Sequence, residues 1–370
     1  MTATDMRSLV KSTLRRVADR TLHHAPMPLW RALFPKTELG VCYHVVSDNP
    51  PPHIKHYRVL STAAFEADLA YLQANFDFIS YEQLVERRGA ANPSRDNAMV
   101  LTFDDGFAEC ATVVAPVLQR RGVSCVFFVI TDLIDNTVLF RESEAALCID
   151  AILKLPVERA LTVVDEAGLG ARLRVQADLL SDPSAWSLEI ADVGAAPDPR
   201  LAPLLHWLVN LTADEAELLQ RLRDRLGIEP ERYLREAQPY LSTGQIKQLH
   251  ADGFTLGAHS RSHRRLQQLS RDDAEREIVE SCRAIRDITG QATVPFAFPY
   301  FGGDLDRTWL AQLRERHDFI GLYFDTDGLR EDEPFVVQRV FGERFGADRT
   351  MDAILRRAWS RRTAWSRRRP

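Results

Sequence analysis

Short apolar runs rich in β-branched and aromatic residues alternate with segments of helical hydrophobic period. The runs predict strands at 39–46 (LGVCYHVV), 99–103 (MVLTF), 125–130 (CVFFVI), 254–259 (FTLGAH), 295–300 (PFAFPY), 319–324 (FIGLYF) and 335–340 (FVVQRV). Apolar positions three and four apart predict helices at 62–75, 81–88, 108–121, 242–251 and 270–289. The last opens on Ser270, carries Asp272 and Asp273 in its first turn and stops at Gly290, as a capped helix should. Such alternation implies an α/β architecture with parallel strands, and folds of this kind gather their chemistry at the C-terminal strand ends.

Residues 131–240 break the rhythm. They separate two strand–helix units by far more than a loop requires. The piece 181–203 is rich in Pro, Ala and Asp and reads as irregular. Thr212 and Glu215 then form a capping-box pattern, Leu218, Leu219, Leu222 and Leu226 an apolar stripe, and Gly227 a stop. We read 131–240 as an inserted helical subdomain. Its position beside the strand-end motifs makes it a candidate lid; plain structural elaboration is the competing reading.

Composition narrows the class. With 370 residues, 45% hydrophobic and 27% charged, the chain is neither disordered nor a small disulfide scaffold. The formal net charge of −5 hides an uneven distribution. Residues 1–36 hold seven Lys/Arg against two Asp, and 355–370 hold seven Arg and no acid, so the rest carries −17. An acidic body of that charge repels phosphate, and no nucleic-acid partner is expected. The N-terminal apolar positions Met6, Leu9, Val10, Leu14, Val17 and Leu22 recur at helical spacing among basic residues. Ile354, Leu355, Ala358, Trp359 and Trp365 lie among Arg pairs near the other end. Basic amphipathic ends suit an anionic membrane surface. A docked helix competes for the first, and a solvated tail is favoured for the second. No signal-peptide run and no bilayer-length apolar run is found, and the five cysteines form no close pair. The expectation is a reduced, cytoplasmic protein that touches the inner membrane face peripherally.

Three constellations sit at strand ends. The first is Thr102-Phe103-Asp104-Asp105-Gly106. Two adjacent carboxylates repel unless a cation or hydrogen bonds absorb the charge, although Asp-Asp-Gly is also ordinary turn chemistry. The second is His259-Ser260-Arg261-Ser262-His263, whose imidazoles can converge on one ion. Asp105, His259 and His263 together offer three ligands and leave a position open, as catalytic metal sites do. The third, Phe296-Ala297-Phe298-Pro299-Tyr300-Phe301-Gly302-Gly303, reads as a rigid wall of the cleft, with Phe298, Pro299 and Tyr300 as substrate contacts. A buried strand ending in a turn competes.

In order, residue types and strand-end placement, these motifs resemble the polysaccharide deacetylases of carbohydrate esterase family 4, the NodB-homology group. TFDDG at 102–106, HSRSH at 259–263 and FAFPYFGG at 296–303 carry the resemblance, supported by YHVV at 43–46 and SCRAIRDITG at 281–290. It covers roughly 38–130 and 240–342. It implies a distorted (β/α) barrel with fewer than eight regular units, interrupted by the mainly helical insertion. The expected organisation is a basic amphipathic N-terminal helix (1–36), a catalytic barrel (37–130 and 241–345), the insertion (131–240) and a basic C-terminal tail (346–370). The resemblance further implies that Asp104 is a general base. Asp105, His259 and His263 would hold a divalent metal, most often Zn²⁺, and the Tyr300 backbone N–H would meet the oxyanion.

Two departures from the family pattern matter. Ala297 stands where the third motif commonly has Arg, a gap shared with a subgroup carrying an FAYP-like motif. Arg339 on the last predicted strand is the candidate to orient Asp104 instead; a surface ion pair competes. The late Leu-x-His that usually supplies the general acid is absent, and His44, ending the first predicted strand, is the candidate replacement. His53 and His56 lie in a Pro-rich loop that could line the cleft, with a solvated loop the favoured reading. The expected activity is metal-dependent N-deacetylation of an N-acetylated glycan, or of a lipid-linked or nucleotide-linked sugar, in glycan or exopolysaccharide biosynthesis. O-deacetylation or another amide hydrolysis on the same scaffold, and a catalytically silent glycan-binding role, are the alternatives.

Overall fold

The computed structural model describes residues 38–54, 57–89, 97–179, 198–326, 329, 332–343 and 350–365. Strands β1 (Leu39–Tyr43), β2 (Asp77–Phe78), β3 (Ala98–Phe103), β4 (Cys125–Val129), β5 (Thr255–Ala258), β6 (Val294–Ala297), β7 (Ile320–Asp325) and β8 (Val336–Phe341) pair only in parallel. Because β1 pairs with both β3 and β8, seven strands close a ring in the order β1-β3-β4-β5-β6-β7-β8. The two-residue β2 pairs only with the start of β3. This is the distorted (β/α) barrel with fewer than eight units.

Helices α1 (Thr62–Asn75), α2 (Tyr81–Gly89) and α3 (Ala115–Arg121) precede the insertion. It contains α4 (Arg141–Lys154), α5 (Val157–Glu166), α6 (Gly170–Leu179), α7 (Ala202–Val209), α8 (Ala216–Arg225) and α9 (Pro230–Ala237). The barrel resumes with α10 (Thr243–Ala251), α11 (Arg271–Thr289), α12 (Arg307–Arg316) and α13 (Met351–Trp365). Ser270 caps α11 through the Asp273 N–H, and Gly290 ends it at φ 76°. Thr212 and Glu215 form their capping box ahead of α8. The helix expected over 108–121 is wound differently: Cys110–Val114 forms a π-turn before α3 begins.

Strand periodicity decides what faces the barrel interior. On β3, Ala98 and Val100 belong to the apolar cluster that includes Phe128, Phe324 and Val337, while Met99, Leu101 and Phe103 pack in the other core cluster, which includes the barrel helices. Thr102 and Asp104 continue the inner face of β3, and Arg339 continues that of Val337 on β8. The insertion has its own core, built on Ile149, Ile152, Val163, Leu204, Trp207 and Leu222. A smaller cluster of Val45, Ile54, Phe107, Phe140, Leu147 and Tyr240 joins it to the barrel mouth. Where it meets the barrel, Tyr240 donates its N–H to Asn136 Oδ1 at 2.9 Å, and Phe107 and Tyr240 form an antiparallel bridge.

The C-terminal segment requires a correction. Instead of a solvated basic tail, Met351–Trp365 is a helix whose Met351, Leu355 and Trp359 are buried in the barrel core. Trp359 stacks on Phe76 with ring centroids 6.1 Å apart. Ile354 and Ala358 pack on the same core. Of the apolar positions that suggested membrane contact, Ile354, Leu355, Ala358 and Trp359 thus pack on the protein's own core. The expected N-terminal helix at 1–36 lies outside the described residues, as does His56.

Candidate active site

The three motifs meet at the C-terminal mouth of the barrel. Asp104 and Asp105 follow β3, His259 follows β5, Tyr300 follows β6, His44 follows β1 and Glu343 lies beyond β8. The turn after β3 puts Asp105 at φ 70° and Gly106 at φ 75°. Gly106 is also sterically required, because a Cβ there would approach Val129 Cγ1 to 2.9 Å. Ser260, His263 and Tyr300 likewise hold positive φ, at 62°, 57° and 61°. Strained backbone thus concentrates at the mouth, as functional sites often show.

The two aspartates are separated in role by their partners. Asp104 receives Arg339 bidentately, Nη1 to Oδ1 at 2.7 Å and Nη2 to Oδ2 at 2.9 Å. Arg339 is fully buried, also donates to Thr102 Oγ1, and lies over the rings of Phe128 and Phe324. Gly40 makes room for it, since a Cβ there would sit 2.5 Å from Arg339 Cγ. Burial alone would raise the Asp104 carboxyl pKa, but the guanidinium overrides it and holds the group well below the usual carboxylate range. Asp104 is therefore ionised at any working pH.

Asp105 accepts a 2.5 Å hydrogen bond from Tyr57 on Oδ2, whereas its buried Oδ1 has no hydrogen-bond partner among the described residues. That oxygen lies 3.5 Å from Nε2 of both His259 and His263. The three ligand atoms lie within 4.8 Å of one another. His259 has its Nδ1 2.9 Å from the carbonyl of Ala297; donation there leaves the Nε2 lone pair toward Asp105. Burial lowers the His259 pKa to about 4 despite the nearby Asp104 carboxylate, so the ring is neutral, as a ligand must be. An orphaned carboxylate oxygen facing two imidazole nitrogens fits a divalent cation. Ligand bonds of about 2.0–2.2 Å in tetrahedral geometry put neighbouring donors about 3.3–3.6 Å apart. Cys42, His44 and Asp104 form a second close set, but Arg339 already engages Asp104 and Glu343 engages His44.

His44 is partly exposed. Its Nδ1 is 2.9 Å from Glu343 Oε1, which also accepts the His44 backbone N–H at 2.6 Å. Burial opposes the imidazolium, yet Glu343 together with Asp105 and Asp104 raises its pKa to about 9. Tyr300 is fixed on several sides. Its hydroxyl donates to Glu142 Oε1 at 2.7 Å, its carbonyl accepts from Thr326, and Arg265 covers its ring at 3.8 Å. No hydrogen bond occupies its backbone N–H among the described residues. Phe298 is a correction: its ring is 1% exposed and stacks on Tyr323 in the core, so it cannot face a ligand. Its neighbour Pro299 is buried too. His53 is buried, with Nδ1 2.9 Å from the Tyr233 hydroxyl of the insertion, and so is not part of a solvated loop.

Sequence reading missed several partners. Glu277 of α11 accepts the N–H groups of Arg261 and Ser262 and the Ser262 hydroxyl, shaping the HSRSH loop. Tyr57, Glu142, Arg141 and Glu343 also reach the site with no motif to mark them. Their only signal was proximity in sequence to an expected strand end or to the inserted segment.

Paired strand-end carboxylates and imidazoles at a barrel mouth make a site suited to metal-assisted hydrolysis. The family model for polysaccharide deacetylases matches residues 91–166 and 228–316, so the chain is similar to that family over the stretches that carry the three motifs. Solved structures with a similar course include the Streptococcus pyogenes deacetylase PplD in complex with acetate (15% identity, 83% of this chain and 93% of that one, TM-score 0.48). IcaB from Ammonifex degensii is similar at 17% identity over 88% of this chain and 97% of that one, TM-score 0.46. The BpsB deacetylase domain from Bordetella bronchiseptica is similar at 15% identity over 83% and 96%, TM-score 0.42. No curated protein matches by sequence. No helix among the described residues is long and apolar enough to cross a membrane.

Proposed function

We propose that this chain hydrolyses the acetamide of an N-acetylated sugar, releasing acetate and leaving a free amine, with a divalent metal, Zn²⁺ foremost, held by Asp105, His259 and His263. The observation that carries the reading is the division of labour between adjacent carboxylates. Arg339 locks Asp104 ionised, while Asp105 keeps one oxygen open toward two imidazole nitrogens. When bound, such an ion acidifies water and polarises a carbonyl. Asp104, permanently ionised, is the proton acceptor for the attacking water. The Tyr300 N–H is the donor to the developing oxyanion. His44, protonated at neutral pH, returns a proton to the departing amine.

The substrate is a glycan or exopolysaccharide under synthesis, or a lipid-linked or nucleotide-linked precursor. The setting is the cytoplasm, with residues 1–36 making peripheral contact at the anionic inner membrane face. The test is acetate release from matched N- and O-acetylated glucosamine oligomers by the wild type and Asp104→Asn. The expected result is N-specific release that the substitution abolishes while bound zinc is retained. Release from O-acetyl groups alone, or undiminished turnover by Asp104→Asn, would overturn the reading. Vesicle co-sedimentation unchanged by deletion of 1–36 would remove the membrane part.

A further inference from the structure

The backbone that leaves β6 toward the mouth is held from β7. The Phe298 N–H donates to the Phe324 carbonyl at 3.0 Å, so the two strands stay tied just beyond Ala297. Pro299 follows, and its ring fixes its φ. Tyr300 then takes φ 61°, which residues other than glycine rarely adopt. Such a conformation persists only where the surroundings over-determine it.

Two consecutive residues at the end of β7 supply those surroundings. Thr326 Oγ1 donates to the Tyr300 carbonyl at 2.5 Å. Asp325, fully buried, accepts the Gly302 N–H and the Thr326 N–H on its Oδ1, each at 2.8 Å. Arg307 joins the same loop from α12. Its Nη1 donates to the Gly302 carbonyl at 2.6 Å, and its Nη2 lies 3.3 Å from Asp325 Oδ2. Asp332 holds that guanidinium in turn, accepting from Nε at 2.9 Å and from Nη2 at 2.7 Å. The chain is thus anchored to β7 before Tyr300 and after it. Its own N–H is left with no hydrogen bond among the described residues.

We propose that Thr326 and Asp325 hold Tyr300 in this left-handed conformation and so set the direction of its N–H, the donor to the developing oxyanion. The inference rests on the role given to that N–H above. A donor of this kind helps the transition state only if it is aimed in advance, and a peptide plane turned away forfeits the gain. Glu142 and Arg265 hold the Tyr300 ring separately, so the β7 contacts act on the backbone alone. Thr326 and Asp325 are positioning residues, since they act through Tyr300.

The test is acetate release from N-acetylglucosamine oligomers by the full chain, with kcat and KM separated, alongside zinc affinity by competition with a chromophoric chelator. Thr326→Val keeps the shape and removes the donor to the Tyr300 carbonyl. It is expected to lower kcat about 10–100-fold, since losing an oxyanion donor outright costs about 100–1,000-fold. KM and zinc affinity are expected to stay within about twofold of the wild type, the pattern of an interaction made only in the transition state. Thr326→Ser, which restores the hydroxyl, is expected to recover kcat. A Thr326→Val variant with wild-type kcat, or a Thr326→Ser variant as slow as Thr326→Val, overturns the proposal and leaves the hydrolysis reading standing. So does a fall in kcat matched by equal losses in KM and zinc affinity, which general loosening of the mouth would give. A wild type that releases no acetate overturns both. Should Thr326→Val fail to fold, Thr326→Ala, which removes the same hydroxyl without filling its space, is read in the same way.

Discussion

Replacing Arg339 by Gln tests the electrostatic core of the site. The substitution removes two charge-assisted hydrogen bonds of 2.7 and 2.9 Å from a carboxylate that is 2% exposed. Leaving one partner of a buried ion pair behind costs about 3–5 kcal/mol of stability. The cost comes with a proton. Burial, no longer opposed by the guanidinium, pushes the Asp104 carboxyl upward, and an Asp that loses an adjacent Arg rises by about 1–3 pH units. The sign is fixed by linkage. A depressed carboxyl stabilises the fold above its ordinary pKa and loses that contribution as pH falls through the folded value. Without Arg339 that loss begins at higher pH. The acid limb of kcat/KM for acetate release should therefore move up by about 1–3 pH units, and urea unfolding should show a matching loss of acid resistance. A folded Arg339→Gln variant whose acid limb coincides with that of the wild type would refute the assignment of Asp104 as an Arg-held base.

Three further outcomes follow from the same geometry. Glu343→Gln should bring the His44 pKa down from about 9, so the basic limb of the pH–rate profile should fall in step if His44 delivers a proton. In the wild type, the stability from the His44–Glu343 pair is fully present below about pH 6.5, the unperturbed histidine value, and is lost as pH rises through about 9, which unfolding midpoints across that range will check. Gly40→Ala should destabilise by about 1–3 kcal/mol through collision with Arg339 Cγ, and should shift the acid limb in the same direction as Arg339→Gln. Leu355→Ala, at a fully buried position of α13, should cost about 2–5 kcal/mol in a chemical melt; a change near zero would undo the docking of the C-terminal helix.

The barrel strands were legible because they are buried on both faces and read as continuous apolar runs, although β1 stops at Tyr43 and β6 at Ala297, each three residues before its run ends. β2 was missed because two residues carry no periodicity. The candidate metal-binding set was legible because each of its residues follows a strand end, so sequence order translates into spatial convergence. Arg339 was legible only as compensation for Ala297. Glu142, Glu277 and Glu343 were not, because a carboxylate that serves as a hydrogen-bond acceptor looks in sequence like any surface acid. The C-terminal helix was misread for a related reason. Seven Arg among three large apolar residues dominate the composition, but one face of the helix buries Met351, Leu355 and Trp359, and even Arg356 is buried, paired with Asp352.

The neck that joins Asn136 to Tyr240 also bears on how the chain folds. These residues are 104 positions apart, and closing a flexible loop of that length costs about 4 kcal/mol of chain entropy. The adjacent strands β4 and β5 cannot pair until it is closed. Because the inserted helices bury a core of their own, they can collapse locally and draw Asn136 and Tyr240 together before the barrel ring is complete. For strand pairing, the long excursion then behaves as a short connection. The β4–β5 pairing becomes dependent on the order in which two cores form.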